Sequence, residues 1–271
     1  TGQSTATEER LWVLNKDGKK LVDYGPTAEM GDLNSIAVLN AATSKPVLSV
    51  AYYKWDTDVF TLNFNNLPLS VFPAGGSGTE DDPYLISTAG DLMQIQNAPA
   101  AHYKVVNNIA CGSYPFAGNN TQFSGTLDGQ NFAISDLVVR GDGLISQLVG
   151  SAVVKNLRLV NPVMVPQSLY AGIIASTARY DGATAPVLSN IHMHGALVAD
   201  DSFDGTFGGI IGQLTTGTTL SECSMADANI NLPRAVAGGI VGEVATSSAN
   251  VNAVAFKGTL LGDVAGGVVG H

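Results

Sequence analysis

One short phrase recurs in this chain, and its spacing limits the folds open to it. Gly-Gly-Ile-Val-Gly at 238–242 returns as Gly-Gly-Val-Val-Gly at 266–270. Aligned on Gly followed by two large apolar residues, Gly143, Gly172, Gly209, Gly239 and Gly267 fall into register, at spacings of 29, 37, 30 and 28. Between the copies lie stretches that alternate apolar and polar residues (153–159, 188–194, 220–225 and 251–256), as strands do. A third apolar element follows at 162–165, 196–199, 228–232 and 258–261. Three short strands per unit with glycine at the corners predict a parallel β-helix, each unit stacking on the last. An α-solenoid of this period is excluded, because β-branched residues and Gly dominate and no 3.6-residue pattern survives. Ile173, Ile210, Ile240 and Val268 are expected in one column of the core. The chain ends inside a copy, which fits either further units or an adapted last rung.

Upstream, 10–72 carries short apolar runs: 11–14 and 21–22 around Asp17-Gly18, a hairpin signal, then 35–39, 46–53, 59–64 and 67–72. A small β-sandwich-like domain is expected there, after a flexible polar tail at 1–9. Residues 73–83 are rich in Gly, acid and Pro and read as a linker. The repeat region is then 84–271. Thr88-Ala-Gly-Asp91 ahead of Leu92 and Ile95 predicts a capped helix over about 88–97, placed to close the first end of the stack.

The Gly-Gly-Ile-Val-Gly copies resemble the GLUG motif of bacterial surface proteins. The stretch from Gly78 to Leu92 is similar to the entry sequence of such repeats, and 123–137 to their first full coils. The resemblance covers about 76–271. It implies an all-β fold with a right-handed parallel β-helix and an adhesin-like role, and such repeats also occur beside immunoglobulin-A1-type metalloproteases. One departure is Glu222-Cys223, which stands where the family has Asn-Cys.

The 271 residues carry a net charge of −10 and only 13% charged residues, with Lys and Arg scattered. Nucleic acid and anionic membrane surfaces are therefore poor partners, since both need a basic stripe. No apolar run approaches the length of a membrane helix. The polar start is consistent with a secretion signal or lipid anchor removed ahead of it, and so with a secreted or surface-attached protein. Cys111 and Cys223 fit either a bridge or two separate buried thiols.

None of His102, His192, His194 and His271 is followed by Glu, so no His-Glu-x-x-His zinc-protease centre is present. Asp200, Asp201 and Asp204 are the one acidic cluster of the repeats; they could bind calcium, or serve a carbohydrate-active lyase or hydrolase as paired carboxylates. A solvated loop is the simpler explanation of the three. Tyr180 and Phe203 flank them, and 180–207 is the longest insertion between copies, hence the expected binding protrusion. Tyr53 and Trp55 offer aromatic faces for a sugar, or a core for the small domain. Asp128 is expected to cap a turn. Arg140-Gly-Asp142 spells an integrin-binding tripeptide of the kind that arises by chance. The expectation is a non-catalytic binding or adhesion protein contacting a host glycan or surface protein. The alternatives are the carbohydrate-active enzyme and a structural spacer in a larger surface protein.

Overall fold

The computed structural model describes the backbone of five strands within residues 10–68, and residues 75–271 apart from 113–114 and 118–120. The chain divides into two units, Thr1–Pro73 and Ala74–His271. In the first, Arg10–Leu14 and Lys20–Pro26 pair antiparallel around the Asp17-Gly18 segment. Asp32–Leu39, Val47–Asp56 and Val59–Pro68 form a three-stranded antiparallel sheet.

The second unit is all-β apart from one short helical stretch, and its strands pair in parallel. From residue 126 onward, each strand bonds to one about a repeat further on rather than to its neighbour in sequence: Thr126 pairs with Val153, Val153 with Val187, Val187 with Thr219 and Thr219 with Asn250. Five such columns recur. The first runs through 126–128, 153–155, 187–189, 219–221 and 250–252. The second runs through 133–135, 158–160, 192–194 and 224–226, and the third through 138–141, 163–166, 197–199 and 229–231. The fourth contains 170–172, 206–208, 236–238 and 264–266, and the fifth 145–149, 175–179, 211–214 and 241–244.

Register decides what is buried. Side chains alternate along a strand, so parallel partners put the same face inward. Tyr103, Leu127, Val154, Leu188 and Leu220 form one buried rung series, Ile134, Leu159, Met193 and Met225 a second, and Val139, Met164, Val198 and Ile230 a third. All belong to a single apolar cluster. Each fully buried aliphatic side chain contributes about 1.5–3 kcal/mol relative to exposure.

Five columns replace the three strands expected per unit, because the alternating stretches are bent in the middle and the glycine motif turns a corner of its own. Asn156, Asn190, Glu222 and Ala253 all have φ between 50° and 57°, and each separates a first-column strand from a second-column one. Asn tolerates this left-handed conformation better than most residues, which suits it to the bend. Glu222-Cys223 thus occupies the position that Asn156-Leu157 and Asn190-Ile191 hold in the preceding units.

The glycine motif makes the corner between the fourth and fifth columns. Gly172, Gly208, Gly238 and Gly266 are register partners. A Cβ at Gly238 would lie 1.7 Å from the Val241 carbonyl oxygen, and one at Gly208 would lie 2.3 Å from Gly242 N in the next unit. Main chain rests on main chain there, and no side chain fits. This register corrects the expected core column by one residue. Ile174, not Ile173, aligns with Ile210, Ile240 and Val268; Ile174 N donates to Ile210 O, Ile210 N to Ile240 O and Ile240 N to Val268 O, at 2.9–3.0 Å. Ile173 stands where the later copies have a second glycine, and it too is buried.

The helix forms over Ala89–Met93 and continues as a 3₁₀ turn, Gln94–Asn97. Thr88 Oγ1 accepts from Asp91 N at 3.1 Å and Asp91 Oδ2 from Thr88 N at 2.9 Å, a reciprocal cap, while Leu92 and Ile95 join the core. Cys111 and Cys223 are free and buried, and burial pushes each thiol up to about 11.

The corner contact makes a sharp prediction. Gly238→Ala should cost about 3 kcal/mol or more, as an overpacked site that cannot relax. Gly267→Ala, with nothing within 4 Å of its new methyl, should cost less than about 1 kcal/mol. Urea unfolding midpoints of the two variants test the contrast.

Candidate functional site

The outward face of the first column carries charge on three successive strands. Tyr103, Leu127 and Val154 point into the core, so Lys104, Asp128 and Lys155, one residue further on and register partners of one another, point outward. Lys155 Nζ lies 3.5 Å from Asp128 Oδ2. Together with His102, Thr126 and Gln130 these residues line a cleft of about 410 Å³, whose remaining wall is Glu80, Asp81 and Pro83.

The segment read as a linker builds that wall. Gly78 N and Ser77 N both bond to Asp82 O, at 2.9 and 3.0 Å, and His102 N bonds to Gly78 O at 2.9 Å, which ties the loop to the strand beneath it. Tyr84 packs against Gly78, and its ring lies 5.6 Å from that of Tyr103. Buried Tyr103 in turn donates from its hydroxyl to Ala98 O at 2.9 Å, and burial pushes its phenol up.

Asp128 is the best-anchored charge of the cleft. It caps its turn as expected, accepting from Gln130 N at 3.0 Å, and it also accepts from Asn156 Nδ2 at 2.9 Å. Burial alone would raise its carboxyl; the Asn156 and Gln130 hydrogen bonds and the Lys155 charge outweigh it and hold the group below its ordinary value. The cleft therefore offers cations and anions side by side, with hydroxyl and amide groups between. Such a lining suits a hydroxyl-rich polar ligand more than an apolar one.

Within the second unit, the residues expected to form a site lie on separate loops or in the core. Stretch 180–207 is not one protrusion: it contains the strands Val187–His194 and Leu197–Ala199 and two separate loops. Tyr180 follows the fifth column, 43% exposed, and its hydroxyl donates to Gly182 O at 2.6 Å. Asp200, Asp201 and Asp204 lie between the third and fourth columns. Asp200 Oδ1 accepts from Ser202 Oγ, Ser202 N and Phe203 N, bonds that lower its carboxyl, so this oxygen holds a turn. Asp201 and Asp204 are exposed. No group of three His, Cys, Asp or Glu among the described residues is placed to hold a metal ion. Phe203 is buried in the core cluster and presents no face to a ligand. Tyr53 and Trp55 lie on the strand Val47–Asp56, and their side chains are outside the described residues. The Asp142 carboxylate of the Arg-Gly-Asp tripeptide accepts from the Ser146 and Ser168 hydroxyls.

Asp128 is legible in the sequence as a turn cap, but its grouping with Lys104 and Lys155 is not, because each unit supplies one of the three. Only the register, read strand by strand, shows them as neighbours.

No family model matches the chain. It is 32% identical to halomucin of Haloquadratum walsbyi over 171 residues, covering 56% of this chain and 2% of halomucin. It is 30% identical over 129 residues to a protein of Evansella cellulosilytica described as a Gly-rich membrane protein, covering 42% of this chain and 15% of that one. The chain thus spans a small part of each relative's length. Among the described residues, no helix is long and apolar enough to cross a membrane.

The anchoring of Asp128 has a pH signature. A carboxyl held below its unfolded value contributes stability at neutral pH, and that contribution vanishes as pH falls below about 3.9 and through the lower folded value. Asp128→Asn should lower stability by about 1–3 kcal/mol at neutral pH, and its deficit against the parent should shrink on acidification. Urea melts of both proteins at neutral and acid pH measure the difference.

Proposed function

We propose that this chain is a binding module of a secreted or surface-attached protein, built as a right-handed parallel β-helix of GLUG type, and that it contacts a glycan, without catalysis at that contact, through the cleft over Lys104, Asp128 and Lys155. The observation that carries this reading is the placement of these three charges on consecutive strands of one parallel column. A row of that kind runs along the stacking direction and meets an extended polymer unit by unit. The loop holding Glu80 and Asp81 supplies a second wall, so the ligand is gripped from two sides.

Support for a surface location comes from the similarity to halomucin and to a Gly-rich membrane protein. The repeat architecture adds support. A stack of rungs with a continuous apolar interior keeps its outer face rigid, so a ligand meets groups already in position and less entropy is lost on binding.

The test is binding of the whole chain to a panel of neutral and anionic polysaccharides, followed by the Lys104→Ala/Lys155→Ala double variant. Removal of both ammonium groups should weaken the selected glycan at least about tenfold, near 1.4 kcal/mol, while Lys257→Ala, at a distant exposed site, leaves it unchanged. A chain that binds no glycan favours a structural spacer instead. Affinity that survives the double variant places the contact elsewhere.

A further inference from the structure

A second constellation lies beyond the cleft, at the far end of a one-way chain of hydrogen bonds. An ionised carboxylate only accepts, so Asn156 turns its Nδ2 toward Asp128 Oδ1, at 2.9 Å, and its Oδ1 away. That oxygen accepts from Asn190 Nδ2 at 2.8 Å, and Asn131 Oδ1 accepts from the same amide at 3.2 Å. With its amino group used on that side, Asn190 presents Oδ1 to His192 Nε2 at 2.8 Å. An amide oxygen cannot donate, so Nε2 carries a proton, and in the neutral ring Nδ1 is then the nitrogen with the lone pair. Ser224 Oγ lies 2.8 Å from that Nδ1.

Ser224 and His192 are register partners on adjacent parallel strands, so backbone pairing fixes their approach. On its other side Ser224 is paired with Ala255, and Ala226 is the next outward residue of its own strand. These neighbours are small, and Ser224 is partly exposed. A hydroxyl bonded to an imidazole whose second nitrogen is held by an amide oxygen is the arrangement of nucleophile, base and orienting group.

We propose that Ser224, His192 and Asn190 form an acyl-transfer site that accepts carboxylic esters, such as the O-acyl groups of an acylated hydroxyl compound. Ser224 Oγ bonds to the ester carbonyl carbon while His192 Nδ1 takes the Oγ proton. The bond from that carbon to the alcohol oxygen breaks, and that oxygen takes the proton from Nδ1, so the leaving group departs as the alcohol and Nδ1 regains its lone pair. Water then attacks the acyl-serine, giving a proton to Nδ1. The carboxylic acid departs, and Oγ recovers its proton. Asn190 is a positioning residue: it sets the tautomer and does not touch the ester.

The probe is p-nitrophenyl acetate, with nitrophenolate release followed by absorbance and the acetyl adduct mapped by mass spectrometry on the quenched chain. The intact chain should carry the adduct on Ser224. General-base assistance is worth about 10²–10⁴-fold, so His192→Gln should slow Ser224 acetylation at least about 100-fold. Ser224→Ala should remove the adduct and the fast release together. Asn190→Gly keeps the left-handed backbone and removes the acceptor, so acetylation should fall. Asn190→Asp keeps an acceptor for Nε2 and should retain the rate, which a role in packing alone would not produce. Circular dichroism of each variant confirms the fold. Release that persists in Ser224→Ala, or acetylation of Ser224 that is indifferent to His192→Gln, overturns the proposal.

Discussion

At the corner between the fourth and fifth columns, the main chain of one strand rests directly on the main chain of another. The space at Gly238 beside the Val241 carbonyl leaves no room for even one carbon. Because that corner is repeated at each unit, the chain reverses at the same place each time, and the strands on either side meet their partners in register. A slip of one residue would turn every inward side chain outward. The buried rungs of the first three columns are thus a consequence of where the glycines stand, and the charged outer row of the first column is the other face of the same register.

This explains what was legible in the sequence. The glycine motif announced a parallel stack because its spacing is the length of one unit, and Thr88 with Asp91 announced a capped helix because both halves of the cap lie within four residues. The bends at Asn156 and Asn190 were hidden, since a left-handed residue inside an alternating stretch does not interrupt the alternation enough to read as a break. The one-residue error at Ile173 has a similar origin. That copy has a single glycine, and Gly-Ile-Ile matched the wrong glycine of the later pair. Only the pairing of Gly172 with Gly208 separates the two alignments.

The site was less legible, for a different reason. Asp200, Asp201 and Asp204 are close in sequence, which by itself does not aim three carboxylates at one point. In this tight loop one oxygen of the first carboxylate is taken by Ser202 and Phe203, and the other two residues are exposed. In a stack of parallel units, side chains converge from positions a full unit apart. Lys104, Asp128 and Lys155 meet in this way, as do His192 and Ser224, and no local motif marks either grouping.

The polar bends also decide where chemistry can occur. A left-handed Asn serves the backbone and still has an amide to spend, and stacked copies hand a hydrogen bond from one unit to the next. The direction of that series is set at Asp128, the one member that can only accept. It ends where the amide ends: the next residue in the column is Glu222, exposed, with the same left-handed φ and no amide to pass on. His192 stands at that terminus, beside the first strand whose bend lacks Asn, and so its ring is the last acceptor-selected group of the row. Register pairing then brings the Ser224 hydroxyl to the other ring nitrogen, 2.8 Å away.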